Sequence, residues 1–350
     1  MKVIGCDFHP SFQQIAMLDK STGELTGRRL SHPAEAQEFY RSLRGPVRVG
    51  MEAIGNALWF ERLLTELGHE WWVGDAARIR ASAVRQQKTD SRDAAHLLEL
   101  MLAGRFPRIW VPSPTERDLR QLLLHRHKLV EMRTQVKNQL QHLALNQGVR
   151  RRHRLWSGAG RTMLEELALP LWTARRRKDL LALLDTLEQS LAQLDSAVKA
   201  EAWARPDAQA LMTQVGVGPV VSLAMVLTLG PVDRFPRGKQ VASYLGLIPR
   251  EHSSGGRQRL GAISKQGNPF LRALLVQAAH VAVQHDEELR RHYLRLAQRK
   301  NRGVATVAIA RKLAVRLYWI LRRKAWETGK VGSTQGSPSH SVVEALQPTP

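Results

Sequence analysis

The hydrophobic period of this chain changes near residue 90, and the change limits the folds open to it. Before that point, short apolar runs with the period of strands come first, and helical segments then alternate with further strands. The predicted strands cover 3–7, 13–18, 24–30, 47–51 and 69–73, and the predicted helices cover 34–43 and 58–67. Three strands in succession indicate a meander, and the alternation after them indicates a mixed sheet covered by helices. We therefore expect an α/β domain at residues 1–112.

After residue 90 nearly every segment has the period of a helix. A helix at 90–103 is followed by two stretches with the heptad spacing of coiled coils, although Arg126 and Arg133 interrupt the seam of the first. The apolar positions are Leu122, Leu129, Val136 and Leu143 in the first stretch, and Leu180, Leu184, Leu187, Leu191, Leu194 and Val198 in the second. This pattern predicts a coiled-coil, basic helical arm at 113–204 and a mainly α C-terminal domain at 205–328. Residues 329–350, rich in Ser, Pro and Gly, are predicted to be a disordered tail.

The charge of the chain is one-sided. Its 350 residues include 53 Lys and Arg against 31 Asp and Glu, a formal net charge of +22, and residues 1–104 hold 13 of each sign. The whole excess therefore follows Gly104. Arginine supplies 40 of the 53 bases, and its planar guanidinium group binds phosphate through paired hydrogen bonds. Nucleic acid is the leading partner, and a solvated basic surface without a specific ligand is the alternative.

Cysteine content and hydropathy restrict the location. A single cysteine, Cys6, excludes a disulfide-stabilised scaffold. No window reaches the roughly 18 uninterrupted apolar residues of a membrane span, and the N-terminus opens as a strand and not as a signal peptide. We therefore expect a cytoplasmic, reducing location and no membrane partner.

Four carboxylates occupy positions where a metal site can form. Asp7 and Glu52 end predicted strands, and Asp90 and Asp93 lie one turn apart on a predicted helix. If that helix packs across the strand ends, the four acids provide oxygen ligands for Mg²⁺, and two such ions could assist phosphodiester chemistry. Each acid also has a simpler explanation: Asp7 as a turn residue, Glu52 as a surface charge, Asp90 as a helix N-cap and Asp93 as a partner of the helix dipole.

Histidines are weaker candidates for the same site, because Mg²⁺ prefers oxygen ligands and the histidine spacings match no zinc motif. The three considered are His9, His125 and His127.

Several segments could contact phosphates. Two basic blocks flank the predicted arm and would either follow a phosphate backbone or be solvated; they are Arg150, Arg151, Arg152 and Arg154, and then Arg175, Arg176 and Arg177. Residues 211–224 predict a helix-hairpin-helix in which the amides of Gly216 and Gly218 face a phosphate, with a tight turn capped by Gly216 as the alternative. Lys265 precedes a further predicted helix at 270–283, and its position is typical of a residue that contacts phosphate at the start of a helix.

Paired serines stand before paired glycines in the run from Arg250 to Arg257. On such an open loop, Ser254 could attack phosphorus if another group removed its proton. No general base is evident from the sequence. The loop could instead bind phosphate through Arg250 and Arg257 without reacting, and the residues by themselves favour this alternative.

Together these motifs resemble the DEDD transposases of the one-ten family of insertion sequences. The resemblance runs from about residue 3 to 325 and is carried by Asp7, Glu52, the run Lys-Thr-Asp-Ser-Arg-Asp-Ala, the Gly-Val-Gly turn, Tyr-Leu-Gly-Leu-Ile-Pro-Arg, Ser-Ser-Gly-Gly and Ser-Lys-Gln-Gly-Asn. Two positions depart from the usual family pattern: Ile54 stands in place of a threonine, and Gly74-Asp75 in place of Asn-Pro.

The resemblance implies an RNase H-like (RuvC-like) α/β N-terminal domain, a coiled-coil segment and a C-terminal transposase domain with a helix-hairpin-helix. It makes Asp7, Glu52, Asp90 and Asp93 the Mg²⁺-binding tetrad, and Ser254, or its neighbour Ser253, the nucleophile that forms a transient phosphoserine link. It also implies a noncoding bridge RNA that pairs with donor and target DNA, and homodimers that assemble to tetramers with composite sites.

We therefore expect a site-specific DNA transposase or recombinase of an insertion sequence, active at the bacterial nucleoid. One alternative is a RuvC-like structure-specific endonuclease that uses Mg²⁺-activated water. The other is a non-catalytic RNA- or DNA-binding protein whose acids are structural.

Overall fold

The strands predicted in the first 75 residues form one mixed sheet. The structure, a computed structural model, describes residues 1–82, 89–150, 155–251 and 259–327. The chain divides into two units, Met1–Val111 and Pro112–Pro350. The sheet lies in the first unit and has the order β3-β2-β1-β4-β5, with strands β1 (Lys2–Phe8), β2 (Phe12–Asp19), β3 (Leu25–Ser31), β4 (Val47–Glu52) and β5 (Glu70–Gly74).

The direction of the strands matches the sequence-based expectation. β1, β2 and β3 pair antiparallel, so the predicted meander is confirmed. β4 pairs parallel with β1, and β5 pairs parallel with β4. The carboxyl ends of β1, β4 and β5 therefore meet at one edge of the sheet.

Helices cover both faces of this sheet. The first unit contains α1 (Ala34–Ser42), α2 (Leu58–Glu66), α3 (Ala76–Ser82) and α4 (Asp90–Leu102). One face packs with α1 and α2 in a core that includes Ile4, Tyr40 and Phe60. The other face packs with α3 and α4 through Val3 and Leu98. Burying each of these large apolar side chains stabilises the fold by about 1.5–3 kcal/mol, so α4 is held firmly against the sheet.

The described part of the second unit is mainly helical. Its helices are α5 (Pro114–Asn146), α6 (Gly158–Glu166), α7 (Leu171–Trp203), α8 (Pro206–Met212), α9 (Pro219–Leu229), α10 (Gly238–Tyr244), α11 (Pro269–His285), α12 (Glu287–Arg299) and α13 (Arg302–Glu327), with a 3₁₀ turn at Val232–Arg234. Two short antiparallel strands, β6 (Pro249–Glu251) and β7 (Leu260–Ile263), form a separate two-stranded sheet.

The long helices α5 and α7 pack side by side and antiparallel. Arg126 pairs with Asp195 near one end, and Lys137 pairs with Glu188 at 2.8 Å further along. Between them, Val136, Leu140, Leu184 and Leu187 are among the residues of a buried apolar cluster. The Arg126 side chain, which interrupts the predicted seam, is thus paired with an acid on the other helix.

The second apolar core of this unit joins segments that are remote in sequence. Leu119 of α5 and Val198 of α7 lie in the same cluster as Leu223 of α9, Leu275 of α11 and Leu317 of α13. The division at residue 204 into an arm and a C-terminal domain stays a prediction. Among the described residues, no helix has the length and apolarity needed to cross a membrane.

Candidate active site

Asp7 and Glu52 lie on adjacent parallel strands, close to their carboxyl ends. Gly5 of β1 is in register with Gly50 of β4, so two residues further on Asp7 lies beside Glu52. Residues two apart in a strand face the same side, and both glycines face α4. The two carboxylates therefore share the face that α4 covers. Asp7 pairs with Gln14 inside the sheet, so the turn explanation for Asp7 is wrong.

Two glycines allow α4 to lie directly on the sheet. A Cβ atom at Gly5 would clash with the backbone of α4, 2.5 Å from the Leu98 nitrogen, and a Cβ atom at Gly50 would clash with the sulfur of Met101. This close approach brings the first turn of α4, with Asp90 and Asp93, to the strand ends.

The start of α4 leaves both of its acids available. The hydroxyl of Thr89 accepts a hydrogen bond from the Arg92 amide at 3.4 Å, so Thr89 is the N-cap and the cap explanation for Asp90 is wrong. Threonine is itself a favoured cap residue, so the sequence contained this signal. Asp93 lies in the first turn, where its charge interacts favourably with the helix dipole, as one alternative proposed.

His9 lies beside Asp7 and Asp90, although the spacing of the histidines in the sequence made it a weak candidate for a metal site. Its Nε2 atom lies 3.1 Å from Asp7 Oδ2 and 3.6 Å from Asp90 Oδ1. Each of Asp7, His9 and Asp90 offers one possible ligand atom, and these three atoms lie within 4.8 Å of one another. The imidazole ring stacks on Phe12, with 4.5 Å between ring centroids, and the guanidinium of Arg29 lies 3.7 Å from the Phe12 centroid. In the sequence, this role of His9 is indicated by its position two residues after Asp7, directly after β1.

The surroundings of Asp7 disfavour its negative charge in the absence of a cation. Burial raises the pKa of the Asp7 carboxyl above its ordinary value. His9 opposes this rise in pKa, whereas the negative charges of Asp93 and Asp90 add to it. A cation bound among these side chains would offset the repulsion, and carboxylate oxygens are ligands that hard divalent cations prefer. The residues present therefore fit a divalent metal ion.

His125 and His127 lie elsewhere, on α5 in the second unit. The His127 ring packs against Phe270 at 4.8 Å between centroids and lies 3.6 Å from Glu131. These two histidines are not part of the acidic cluster.

The basic block at the start of α7 is engaged in contacts within the fold. Arg175 forms an ion pair with Asp179 at 3.0 Å, and Arg176 donates to Gln139 at 2.9 Å. Arg177 donates to the carbonyl oxygens of Leu164 and Leu167, at 3.1 and 2.7 Å, and so holds the end of α6. Arg150 is exposed, and Arg151, Arg152 and Arg154 lie outside the described residues.

Gly216 and Gly218 lie in the turn between α8 and α9. Thr213 is the C-cap of α8, so the proposed role of Gly216 as a C-cap is wrong. Gly216 instead has a φ of +84°, and a Cβ atom there would lie 3.1 Å from the Ala282 nitrogen of α11. Gly218 begins α9 as its N-cap, with open space where a Cβ atom would be.

The paired serines fall in the connection between β6 and β7. Ser253, Ser254 and Arg257 lie outside the described residues. Arg250 on β6 is exposed and donates to the Ser264 carbonyl at 3.4 Å. Lys265 follows β7, is exposed, and has a φ of +56°.

Strand order and acid placement together define a class of protein. A mixed sheet of this order, with acidic residues at adjacent strand ends and on the helix packed over them, is consistent with an RNase H-like DEDD transposase. Residues 4–147 match the family model of DEDD transposases of IS110 type, described as Transposase. Residues 208–294 match the model described as Transposase IS116/IS110/IS902 family.

Curated relatives are similar over almost the whole chain. A protein of Pseudomonas aeruginosa named "Probable family 20 transposase" is 32% identical over 330 residues, covering 91% of this chain and 96% of the relative. The transposase for insertion sequence element IS1111A of Coxiella burnetii is 28% identical over 349 residues, covering 95% and 92%. The transposase for insertion sequence element IS1328 of Yersinia enterocolitica is 28% identical over 334 residues, covering 91% and 96%.

This chain belongs to the IS110 family of insertion-sequence transposases. It is therefore an enzyme that cleaves and transfers DNA strands, and DNA is its partner.

Proposed function

We propose that this transposase is Mg²⁺-dependent and uses Ser254 as the nucleophile that exchanges DNA strands. The observation that carries the proposal is the cluster at the sheet edge: Asp7 and Glu52 on neighbouring strands, with Asp90 and His9 beside Asp7. Such a cluster of like charges is unfavourable on its own, and a bound cation would offset the repulsion.

The tetrad of Asp7, Glu52, Asp90 and Asp93 would hold the metal ion. Bound Mg²⁺ would withdraw charge from the scissile phosphate and favour the deprotonated hydroxyl that attacks it. His9 keeps Asp7 in place through its hydrogen bond and its stacking on Phe12. The close contact of α4 with β1 keeps the acids on helix and strand in one arrangement.

Ser254 would then carry out the covalent step. Its Oγ forms a bond to phosphorus while the bond from phosphorus to the 3′ oxygen breaks, and that oxygen leaves as a 3′-hydroxyl after taking a proton. A 3′-hydroxyl from the partner duplex attacks the phosphoserine and restores the serine. The supports are the resemblance of the Ser-Ser-Gly-Gly run and its place between two paired strands. Ser253 is the alternative nucleophile.

We further propose that a bridge RNA selects donor and target by base pairing, as in other RNA-guided systems. The packed α5–α7 pair would serve as a coiled-coil arm at 113–204, and the α8–α9 turn as a helix-hairpin-helix in a C-terminal domain at 205–328. Homodimers would assemble to tetramers on DNA at the bacterial nucleoid. Support comes from the basic charge of these segments and from the resemblance.

Trapping the covalent intermediate tests this function. The full chain is incubated with Mg²⁺, the RNA that copurifies with it and labelled cognate DNA, and the products are separated under denaturing conditions. We expect a protein–DNA adduct that is lost in Ser254→Ala and kept in Ser196→Ala, which removes an exposed hydroxyl from α7.

The other outcomes identify the competing mechanisms. An adduct lost in Ser253→Ala and kept in Ser254→Ala moves the nucleophile by one residue. Cleavage without any adduct would replace the serine by a Mg²⁺-activated water, as in RuvC-like nucleases. Sequencing the copurified RNA tests the guide separately, and a preparation that exchanges strands without RNA would contradict it.

A further inference from the structure

A long segment near the end of the described chain carries only positive charge. Residues 289–326 contain 12 Lys and Arg and no Asp or Glu. They form most of α12 and α13, which pack against each other. A run of this kind is costly through self-repulsion unless an anionic partner offsets it.

Three arginines of this segment form a row on α12. Arg291, Arg295 and Arg299 are spaced by four residues, so they lie on one face of the helix, about 6 Å apart along its axis. All three are exposed. Within the described residues, none of their side chains forms an ion pair or a hydrogen bond.

The opposite side of α12 packs on the apolar core, so the row of arginines faces solvent. Leu289 is buried, and Tyr293 packs against the same apolar core. Since these residues anchor the helix, the three guanidinium groups cannot turn inward without breaking that packing.

Two of the three acids at the start of α12 are already paired within the fold, and Glu287 is the third. Asp286 and Glu288 pair with Arg316 of α13, at 2.9 and 3.0 Å. Arg290, next to the row, donates to the Val283 carbonyl at 3.2 Å. The row of Arg291, Arg295 and Arg299 is thus distinct from these internally satisfied arginines.

We propose that this row docks on the phosphate backbone of duplex DNA. The row offers three forked donors over about 12 Å on a straight helix, and duplex DNA offers regularly spaced phosphates along each strand. Phosphate contacts of this kind fix the orientation of a duplex without reading its sequence. The row belongs to α12 of the second unit, whereas the acidic cluster belongs to the first unit.

Salt dependence of binding tests the proposal without requiring catalysis. The full chain is titrated in EDTA into a labelled duplex DNA of about 30 base pairs, at about 50 to 300 mM salt. Replacing Arg291, Arg295 and Arg299 together by Gln should lower the slope of log K against log salt by about 2.7, which is 0.9 for each phosphate. Affinity at the low-salt end should fall at least about tenfold.

The control removes the same charge from another surface. Arg41, Arg44 and Arg62 are exposed arginines of the first unit, and their combined replacement by Gln should change the slope by less than about 1. Replacing the row by Lys, which keeps the charge, should restore most of the slope. Unchanged thermal unfolding of the row variant shows that the fold is intact.

Two results would overturn the proposal. One is a slope for the row variant equal to that of the control variant. The other is a loss of affinity by the row variant for a matched duplex RNA only, which would assign the row to RNA. A loss of affinity for the duplex DNA, whether or not affinity for RNA also falls, supports docking on DNA. Because binding is measured in EDTA, failure of the serine mechanism would leave these results unchanged.

Discussion

Among single residues, Asp7 is the proposed metal ligand whose ionised form the fold disfavours. Burial raises the pKa of its carboxyl, and Asp93 and Asp90 raise it further. When the pKa of a carboxyl is higher in the folded state than in the unfolded state, the ionised carboxylate lowers the free energy of unfolding. The resulting loss of stability is full at pH values above the folded-state pKa and disappears as the pH falls below the unfolded-state value.

Replacing Asp7 by Asn should therefore stabilise the metal-free protein. In EDTA at neutral pH, we expect the melting temperature to rise by about 1–4 °C, since removing the repulsion stabilises by about 1 kcal/mol. The difference should shrink at acidic pH, where the wild-type carboxyl is protonated in both states. Mg²⁺ should raise the melting temperature of the wild type and have little effect on Asp7→Asn.

Asp19→Asn is the matched control for this measurement. Asp19 accepts hydrogen bonds from Lys2 and Ser21, at the end of β2, so its replacement relieves no repulsion. It should not gain stability in EDTA, and it should keep the response to Mg²⁺. A melting temperature that falls equally in both variants would contradict the interpretation of Asp7.

At the level of elements, the contact between α4 and β1 positions the site. The helix can lie over the strand ends because Gly5 has no side chain, and a Cβ atom there would meet the α4 backbone at Ala94 and Leu98. Backbone atoms cannot move aside as a flexible side chain can. The first turn of α4 would have to shift away from Asp7.

Gly5→Ala should therefore reduce both stability and strand cleavage. Denaturant titration should show a loss of about 2 kcal/mol or more in the free energy of unfolding. Adduct formation should show a large drop in strand cleavage. Gly27→Ala on β3 is the control, since its Cβ atom would lie 3.8 Å from the nearest atom, the Ile15 carbonyl oxygen. Cleavage retained in Gly5→Ala would show that α4 does not have to lie this close.

Over the whole molecule, the acidic cluster and the basic charge belong to different units. Residues 1–111 hold 15 Lys and Arg against 13 Asp and Glu, and the remaining residues hold 38 against 18. The nearly neutral unit carries the acids, and the basic unit carries Ser254 and most groups that can hold a phosphate backbone. The family resemblance implies composite sites, in which one copy supplies the tetrad and another supplies the serine, and this distribution of groups is compatible with them.

Mixing two inactive variants tests whether the sites are composite. Asp90→Asn lacks a tetrad member, and Ser254→Ala lacks the proposed nucleophile, so each alone should form no adduct. If one copy's tetrad acts with another's serine, randomly mixed dimers should recover about a quarter of the wild-type adduct, because half are mixed and each has one complete site. No recovery on mixing would show that each copy uses its own serine.

Much of the fold was predictable because its signals are local. Short apolar runs bounded by turn residues identified β1, β2 and β3, and heptad spacing identified the long helices α5 and α7. The four acids were identified as candidates for the same reason, from side-chain chemistry and their places at element ends. The pairing of Arg126 with Asp195 was not predictable, because the partners are 69 residues apart.

Sequence alone determined which side chains can bind a cation or a phosphate, since period and functional groups are properties of short segments. Tertiary structure decided which of them meet. It brought His9 to Asp7 and Asp90, and it engaged Arg177 with the end of α6 while Arg295 stayed exposed. These outcomes depend on packing between segments that are distant along the chain, and no local pattern records that packing.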